Sequence, residues 1–408
     1  MAEQKKIRKN KSQSHFLSKG GSVDKPFLLM LFGILCIGLL MLFSASYANA
    51  YYYYGDSFHF IIRQFIFAVI GIIGMFIVSK FDYRILKKFS NLIVIASLGL
   101  LVLVFTQRDL NDAHRWIFIG DDLLTFQPSE IAKFALIVFM AKYMTDNEDK
   151  ITGNKMSKFA SGINNKLLRV IVNEITHILP MLILVGVYCG LLILEPHLSA
   201  TMIVICIFAA MALVGGMKLS VFCSFAVLGT VSLPLGIFVL GKWDRLMLRV
   251  DNWINPYAAA SAEGYQVIQS LYAIGSGGLM GNGIGGSKQK YLYVPEPQND
   301  FIFSIICEEI GFIGATLLII LFAVFICRGF SIGTRCKDKF GSMLCIGIIF
   351  QVGIQIIFNI AVVTNTIPNT GISLPFFSYG GTSLVMLLAQ MGVVLSVSRE
   401  NSKEDSDE

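Results

Sequence analysis

Pro26–Phe43 is a run of 18 residues without a charge, and runs of this kind recur along nearly the whole chain. About 20 such residues are what a helix needs to cross the hydrocarbon core of a bilayer. In lipid no water can satisfy backbone N–H and C=O groups, so helices and closed barrels are the only spanning structures. The windows lie near residues 26–46, 59–79, 89–106, 129–144, 174–194, 198–216, 219–240, 301–327, 341–364 and 379–398. They predict an all-α polytopic membrane protein with ten transmembrane helices. Only 15% of the 408 residues are charged, against ~25% in soluble domains.

The N-terminus invites comparison with a secretory signal, because a basic stretch and an apolar run precede Ala48-Asn49-Ala50. The run is longer than the ~7–15 residues of a signal core, so it is expected to be an uncleaved first span. Residues 1–25, with seven Lys and Arg, read as a basic, disordered cytoplasmic arm. The net charge of +6 therefore belongs to links and tail rather than to a nucleic-acid surface.

Lys and Arg in short links set the orientation. Links 80–88, 145–173, 217–218 and 328–340 are basic, whereas 47–58 and 365–378 contain no Lys or Arg. Both termini are thus expected in the cytoplasm, with residues 26–398 as the membrane domain and 399–408 as an acidic cytoplasmic tail. The long link 241–300, between helices 7 and 8, becomes the large extracellular loop. The eight cysteines, mostly inside apolar runs, show no zinc or disulfide spacing.

Ionisable groups in spans are costly and mark functional candidates. Arg63 lies a turn inside the second span. Glu130 and Lys133 in FQPSEIAKFALI share a helical face and can neutralise each other, either to hold the bundle or to serve a site. Glu308 and Glu309 sit two and a half turns inside the eighth span and need cationic partners, Arg63 or Lys133 being the obvious supply. His197 in EPHLSA reads as a hydrogen-bonded interfacial residue. GSGGLMGNGIGG lacks the GK[ST] ending of a P-loop; it is either a flexible loop or a backbone-amide nest for phosphate beside Lys288 and Lys290. Asp300 stands at the outer membrane edge after Pro295-Glu296-Pro297, where it serves as a helix cap or a base.

Three segments together, GYQVIQSLYAIGSGGLMGNGIGGSKQKYLYVPEPQNDFIFSIICEEIG, HRWIFIGDDLLTFQPSEIAKFALI and TGISLPFFSYGGTSL, closely resemble the signature blocks of the SEDS family (shape, elongation, division and sporulation), the FtsW/RodA/SpoVE group. The resemblance runs in order from about residue 26 to 398. It implies a peptidoglycan glycosyltransferase that polymerises lipid II, an undecaprenyl-pyrophosphoryl disaccharide-peptide, at the outer face of the bacterial cytoplasmic membrane, with the division branch as the expectation. It implies as partners a class B penicillin-binding protein supplying transpeptidase activity and other divisome or elongasome membrane proteins.

The family's essential aspartate follows its PE motif, a place that Asp300 occupies. Arg63, Arg115, Glu130, Lys133, Gln269, Lys290 and Glu309 match its polar cavity positions. Two blocks depart from the pattern: EPHLSA has His197 where the family often has an aspartate, and DAHRWI has His114 in place of an arginine. Neither histidine inherits a role.

The chemistry suits these residues. A sugar hydroxyl needs a base, for which Asp300 is placed. The departing lipid pyrophosphate needs positive charge, which Arg245, Lys288, Lys290 and Arg63 can provide, with a divalent cation such as Mg or Mn as a candidate helper. Rival expectations are a lipid II flippase, which needs polar groups through the depth of the bundle, and a non-catalytic divisome scaffold.

Overall fold

The computed structural model describes residues 21–107, 115–119, 124–151, 162, 166–219, 236, 238, 239, 241, 243–257 and 263–407. The main helices are α1 (Lys25–Tyr54), α2 (His59–Lys80), α3 (Arg84–Val104), α4 (Pro128–Asp146), α5 (Lys166–Leu194), α6 (Leu198–Val214), α7 (Trp243–Ile254), α8 (Glu263–Ser276), α9 (Ile302–Arg335), α10 (Lys339–Val363) and α11 (Gly381–Asp407). Seven of them are long and apolar enough to cross a membrane: α1, α2, α3, the Ile175–Leu194 part of α5, α9, α10, and α11 as far as Lys403. The protein is therefore a multi-pass helical membrane protein. Helices α4 and α6 occupy the fourth and sixth expected spans and are shorter or more polar; nearly all of 219–240 lies outside the described residues.

Local chemistry sets several ends. Asp24 caps α1 by accepting from the Phe27 N–H at 2.9 Å, Pro26 sits in the first turn, and Gly55 closes the helix in the left-handed conformation (φ 70°). Asp338 caps α10 through the Gly341 N–H at 3.2 Å. On α2 the residues Ile62, Phe65, Ile66, Ile73 and Ile77 are exposed. A stripe of that size would be untenable in water and is the lipid-facing side of a membrane helix. The opposite side of α2 packs on α11, and α9 packs on α10.

Two links are more structured than expected. Within 107–128, Ile117–Ile119 and Leu124–Phe126 form an antiparallel β-hairpin, Ile117 opposite Phe126, docked where the Thr382 hydroxyl donates to the Thr125 carbonyl at 2.7 Å. The all-α expectation is corrected to that extent: three-residue strands leave no trace beside 20-residue apolar windows. Within 241–300 the chain forms α7 and α8 and then folds back onto the start of α9. There α9 is broken at Gly311 (φ 68°, ψ −174°). The N–H groups of Asn282 and Gly283 donate to the carbonyls of Glu308 and Glu309, both at 3.0 Å, and Phe312 N–H donates to the Gly278 carbonyl at 2.9 Å. Gly281 (φ 80°) is required because a Cβ there would lie 2.2 Å from the Glu309 carbonyl oxygen. The glycine run is thus a docked clasp, with Asn282 and Gly283 amides bound to α9 carbonyls.

The acidic C-terminal segment continues α11 as helix to Asp407. The first twenty residues of the basic arm lie outside the described part.

Candidate active site

Asp300 ends the clasp segment, two residues before α9 begins. The N-cap of α9 is Phe301, without a side-chain cap, so the Asp300 carboxylate is not occupied in capping. Its backbone is clamped: the Asn359 amide of α10 donates to the carbonyls of Asp300 and Ile372, both at 2.7 Å. Next to it, the Ser378 hydroxyl donates to the Asn299 carbonyl at 2.8 Å, and the Tyr379 N–H donates to the Gln298 carbonyl at 2.8 Å.

The carboxylate itself faces a cavity of about 550 Å³. Gly371, opposite it, leaves the approach open; a Cβ at that position would come within 3.2 Å of Oδ2. Among the described residues no hydrogen bond reaches the carboxylate. Burial pushes its pKa up to about 6, nearby Arg115 opposes the rise, and Glu296 adds to it. A carboxylate so placed is a base with its proton affinity moved toward neutrality.

The same cavity is lined by Arg63, Arg115, Glu130, Lys133 and His197. Arg63 projects from the second turn of α2 beside the Tyr379 phenol. The Arg115 guanidinium precedes the hairpin and donates to the Pro196 carbonyl. Lys133 is 1% exposed and its ammonium donates to Glu130 at 2.7 Å, as the i,i+3 spacing predicted.

Breaking a buried pair strands a charge, at about 3–5 kcal/mol. Lys133→Ala is therefore expected to lose more thermal stability than Glu130→Ala/Lys133→Ala. Because Lys133 also lines the cavity, the double variant should fold yet stay inactive. Activity restored in the double variant would limit the pair to a structural role.

Other expected site residues lie elsewhere. The Lys290 ammonium is buried beneath the clasp, donating to Glu309 at 2.9 Å, the Gly285 carbonyl at 2.8 Å and the Ser44 hydroxyl at 3.3 Å. The Ser44 hydroxyl also donates to Glu309 at 2.7 Å. Glu308 accepts from the Ser287 hydroxyl and from the N–H groups of Lys288 at 2.8 Å and Gln289 at 3.3 Å. The two glutamates thus find partners in the clasp rather than in Arg63 or Lys133, a pairing hidden by the unrecognised fold-back. The Lys288 side chain is exposed and Gln269 is half-buried on α8; neither lines the cavity. The Arg245 side chain and His114 lie outside the described residues.

The cavity wall also holds Gln127, Gln355 and Tyr379, which sequence reasoning did not single out. Uncharged residues within spans or at their ends look like ordinary helix packing or an aromatic belt. Glu195, buried near Arg115, has its pKa pushed up to about 8 by burial. Among the described residues no three His, Cys, Asp or Glu side chains converge as a metal-binding group.

A model of the cell cycle protein family FtsW/RodA/SpoVE matches residues 25–403. Stage V sporulation protein E of Bacillus subtilis (strain 168) is 37% identical over 385 residues, covering 94% of this chain and 98% of its own. The probable peptidoglycan glycosyltransferase FtsW of Geobacter sp. (strain M18) is 33% identical over 378 residues, covering 92% and 96% respectively. Among solved structures, a chain from a peptidoglycan synthase complex, studied for its coordination of polymerisation and crosslinking, superposes with a TM-score of 0.73 at 25% identity. It covers 93% of this chain and 98% of its own. The rod shape determining protein RodA of Thermus thermophilus superposes with a TM-score of 0.62 at 25% identity, covering 93% and 97%. A family match across nearly the whole chain, with relatives more than 30% identical over the same span, makes this protein a member of the FtsW/RodA/SpoVE family.

Proposed function

We propose that the protein is a peptidoglycan glycosyltransferase that polymerises lipid II at the outer face of the bacterial cytoplasmic membrane, with Asp300 as general base. The observation that carries the mechanism is the Asp300 carboxylate, held by its backbone, unbonded at its oxygens, and facing a cavity shared with Arg63, Arg115 and Lys133. The names and structures of the relatives support the activity.

The acceptor sugar hydroxyl gives its proton to Asp300 as its oxygen attacks the anomeric carbon. The bond from that carbon to the lipid pyrophosphate breaks, and the pyrophosphate leaves with the electron pair toward Arg63 and Arg115. A single displacement inverts the anomeric centre and needs no carboxylate nucleophile. Lys290, fixed on Glu309, takes no part in this step; it holds the clasp that carries Asp300. A divalent cation such as Mg or Mn, which takes one or two carboxylates plus substrate phosphates, would be held on the Glu296 side of the cavity and would supply neutralisation of phosphate charge, leaving Asp300 free as the base.

The full topology belongs to the same proposal: ten spans, cytoplasmic termini, and 241–300 outside. Cysteines at Ser57, Asn282 and Asn369 should react with an impermeant thiol reagent from outside, and those at Ser157 and Ser331 should not. Labelling of Asn282 from the cytoplasm alone would overturn both orientation and mechanism.

A crosslinking partner, a class B penicillin-binding protein in our proposal, is supported by the likeness to a chain of a synthase complex. Purified protein given labelled lipid II, with and without that partner, tests the activity. Glycan strands are expected. Lipid II that crosses a vesicle membrane unpolymerised would indicate a flippase, and neither outcome would indicate a scaffold.

A further inference from the structure

His197 has no part in the mechanism above, yet its ring is built into the cavity wall. It occupies the N-cap position of α6, but its side chain caps nothing. The residue is 6% exposed, and Nδ1 is buried without a partner among the described residues. Ser199, in the first turn of α6, is 2% exposed, and its hydroxyl is likewise buried and unpartnered. Both line the cavity, together with Gln127, which leads into α4. A buried polar group without a partner is rare, because it has lost water and gained nothing.

The pattern of donors and acceptors follows from one contact. The Gln127 side-chain nitrogen lies 3.4 Å from His197 Nε2. An amide nitrogen only donates, so Nε2 accepts and the ring proton sits on Nδ1. The corner thus presents two donors, His197 Nδ1–H and the Ser199 hydroxyl. It also presents an acceptor, Gln127 Oε1, which no donor reaches among the described residues.

Net charge does not select the ligand here. The cavity wall sets Arg63, Arg115 and Lys133 against Glu130, Glu296 and Asp300, and Lys133 is bound to Glu130 at 2.7 Å. The corner itself is neutral. A neutral group that meets two donors and one acceptor together is a secondary amide, whose carbonyl oxygen has two lone pairs and whose nitrogen carries one hydrogen.

We propose that His197, Ser199 and Gln127 form an amide-recognition subsite of the cavity, with the ligand carbonyl held by His197 and Ser199 and its N–H by Gln127. The assignment of the ligand to lipid II rests on the glycosyltransferase reading. That substrate carries secondary amides in two places, the acetamido groups of its sugars and its peptide. The preference for an amide rests on the corner itself.

The direct test is binding of lipid II to the full-length protein in detergent, read by competition with a fluorescent lipid II. Two analogues are compared with it, one with hydroxyls in place of the sugar acetamido groups and one without the peptide. Wild type should bind at least one analogue about tenfold more weakly than lipid II, the scale of a lost hydrogen bond that leaves its partner buried. The analogue that loses affinity identifies the amide held. In His197→Phe and in Ser199→Ala this preference should shrink several-fold. His197→Asn, whose amide supplies an N–H near Nδ1, should keep it. The lipid II KM of the first two variants should rise with kcat within about twofold, since the contact is made in ground and transition states alike. Thermal melts identify the variants that fold, and Ser199→Ala, the smaller change, carries the test alone where His197→Phe does not.

A wild type that binds all three ligands alike, or none, would overturn the subsite. So would folded His197→Phe or Ser199→Ala with the full preference, or folded His197→Asn without it. The binding arm needs no turnover. An amide preference lost in the variants of a protein that makes no glycan would support the subsite and overturn the proposed activity. Glycan synthesis without an amide preference would do the reverse.

Discussion

Lys290→Ala should destabilise the protein by about 3–5 kcal/mol, the cost of stranding a buried charge. The Lys290 ammonium and the Glu309 carboxylate are 2.9 Å apart with 3% and 0% of their side chains exposed. Without Lys290, Glu309 keeps the Ser44 hydroxyl as a partner but no cation. Replacing both with apolar residues of similar volume, Lys290→Met/Glu309→Leu, should recover most of the loss, since buried pairs often exchange for hydrophobic contacts at little net cost. Unfolding followed in detergent by thermal melts separates the cases. Recovery of glycan synthesis together with stability would confine Lys290 to the clasp. A double variant that is stable and inactive would return it to the substrate site, and an undestabilised Lys290→Ala would show that the pair does not hold the clasp.

Asp300→Asn should fold, bind its partner and lose polymerisation by ~10²-fold or more, the scale of a lost acid–base catalyst. Asn has nearly the volume of Asp and caps helices about as well. The structure narrows the alternatives further, because α9 takes Phe301 as its N-cap and the Asp300 backbone is anchored by Asn359. The substitution leaves those backbone contacts intact. Glycan synthesis near the wild-type rate would remove Asp300 from the mechanism, whereas a fall in yield or melting temperature equal to the fall in rate would assign it a structural role.

The apolar windows were legible because burial in lipid demands long uncharged runs, and α1, α2, α3, α9 and α10 follow them closely. So was the Glu130–Lys133 pair, whose contact follows from helical spacing alone. The convergence of Asp300, Arg63 and Arg115 was not legible from spacing, since they come from a clasp end, a helix and the irregular segment before the hairpin, far apart in the chain; the family resemblance supplied it. Lys290 and Glu309 show the limit of reading charges one segment at a time. Both looked like cavity residues until the glycine run proved to fold back on the Gly311 break, bringing the lysine to a carboxylate nineteen positions away. Gly281 and Gly311 were visible as glycines, but no local rule says that one docks against the other.

The central claim is that the Asp300 carboxylate accepts the proton of the attacking hydroxyl, and the pH dependence of kcat/KM for lipid II polymerisation tests it most directly. The carboxylate is held up to about 6 by burial, and only its ionised form can act as base. The rate of the wild type with its partner should therefore rise about tenfold per pH unit below that value and level off above it. The residual activity of Asp300→Asn should lack this inflection. A wild-type profile flat from about pH 5 to 8, or the same inflection in Asp300→Asn, would contradict the account.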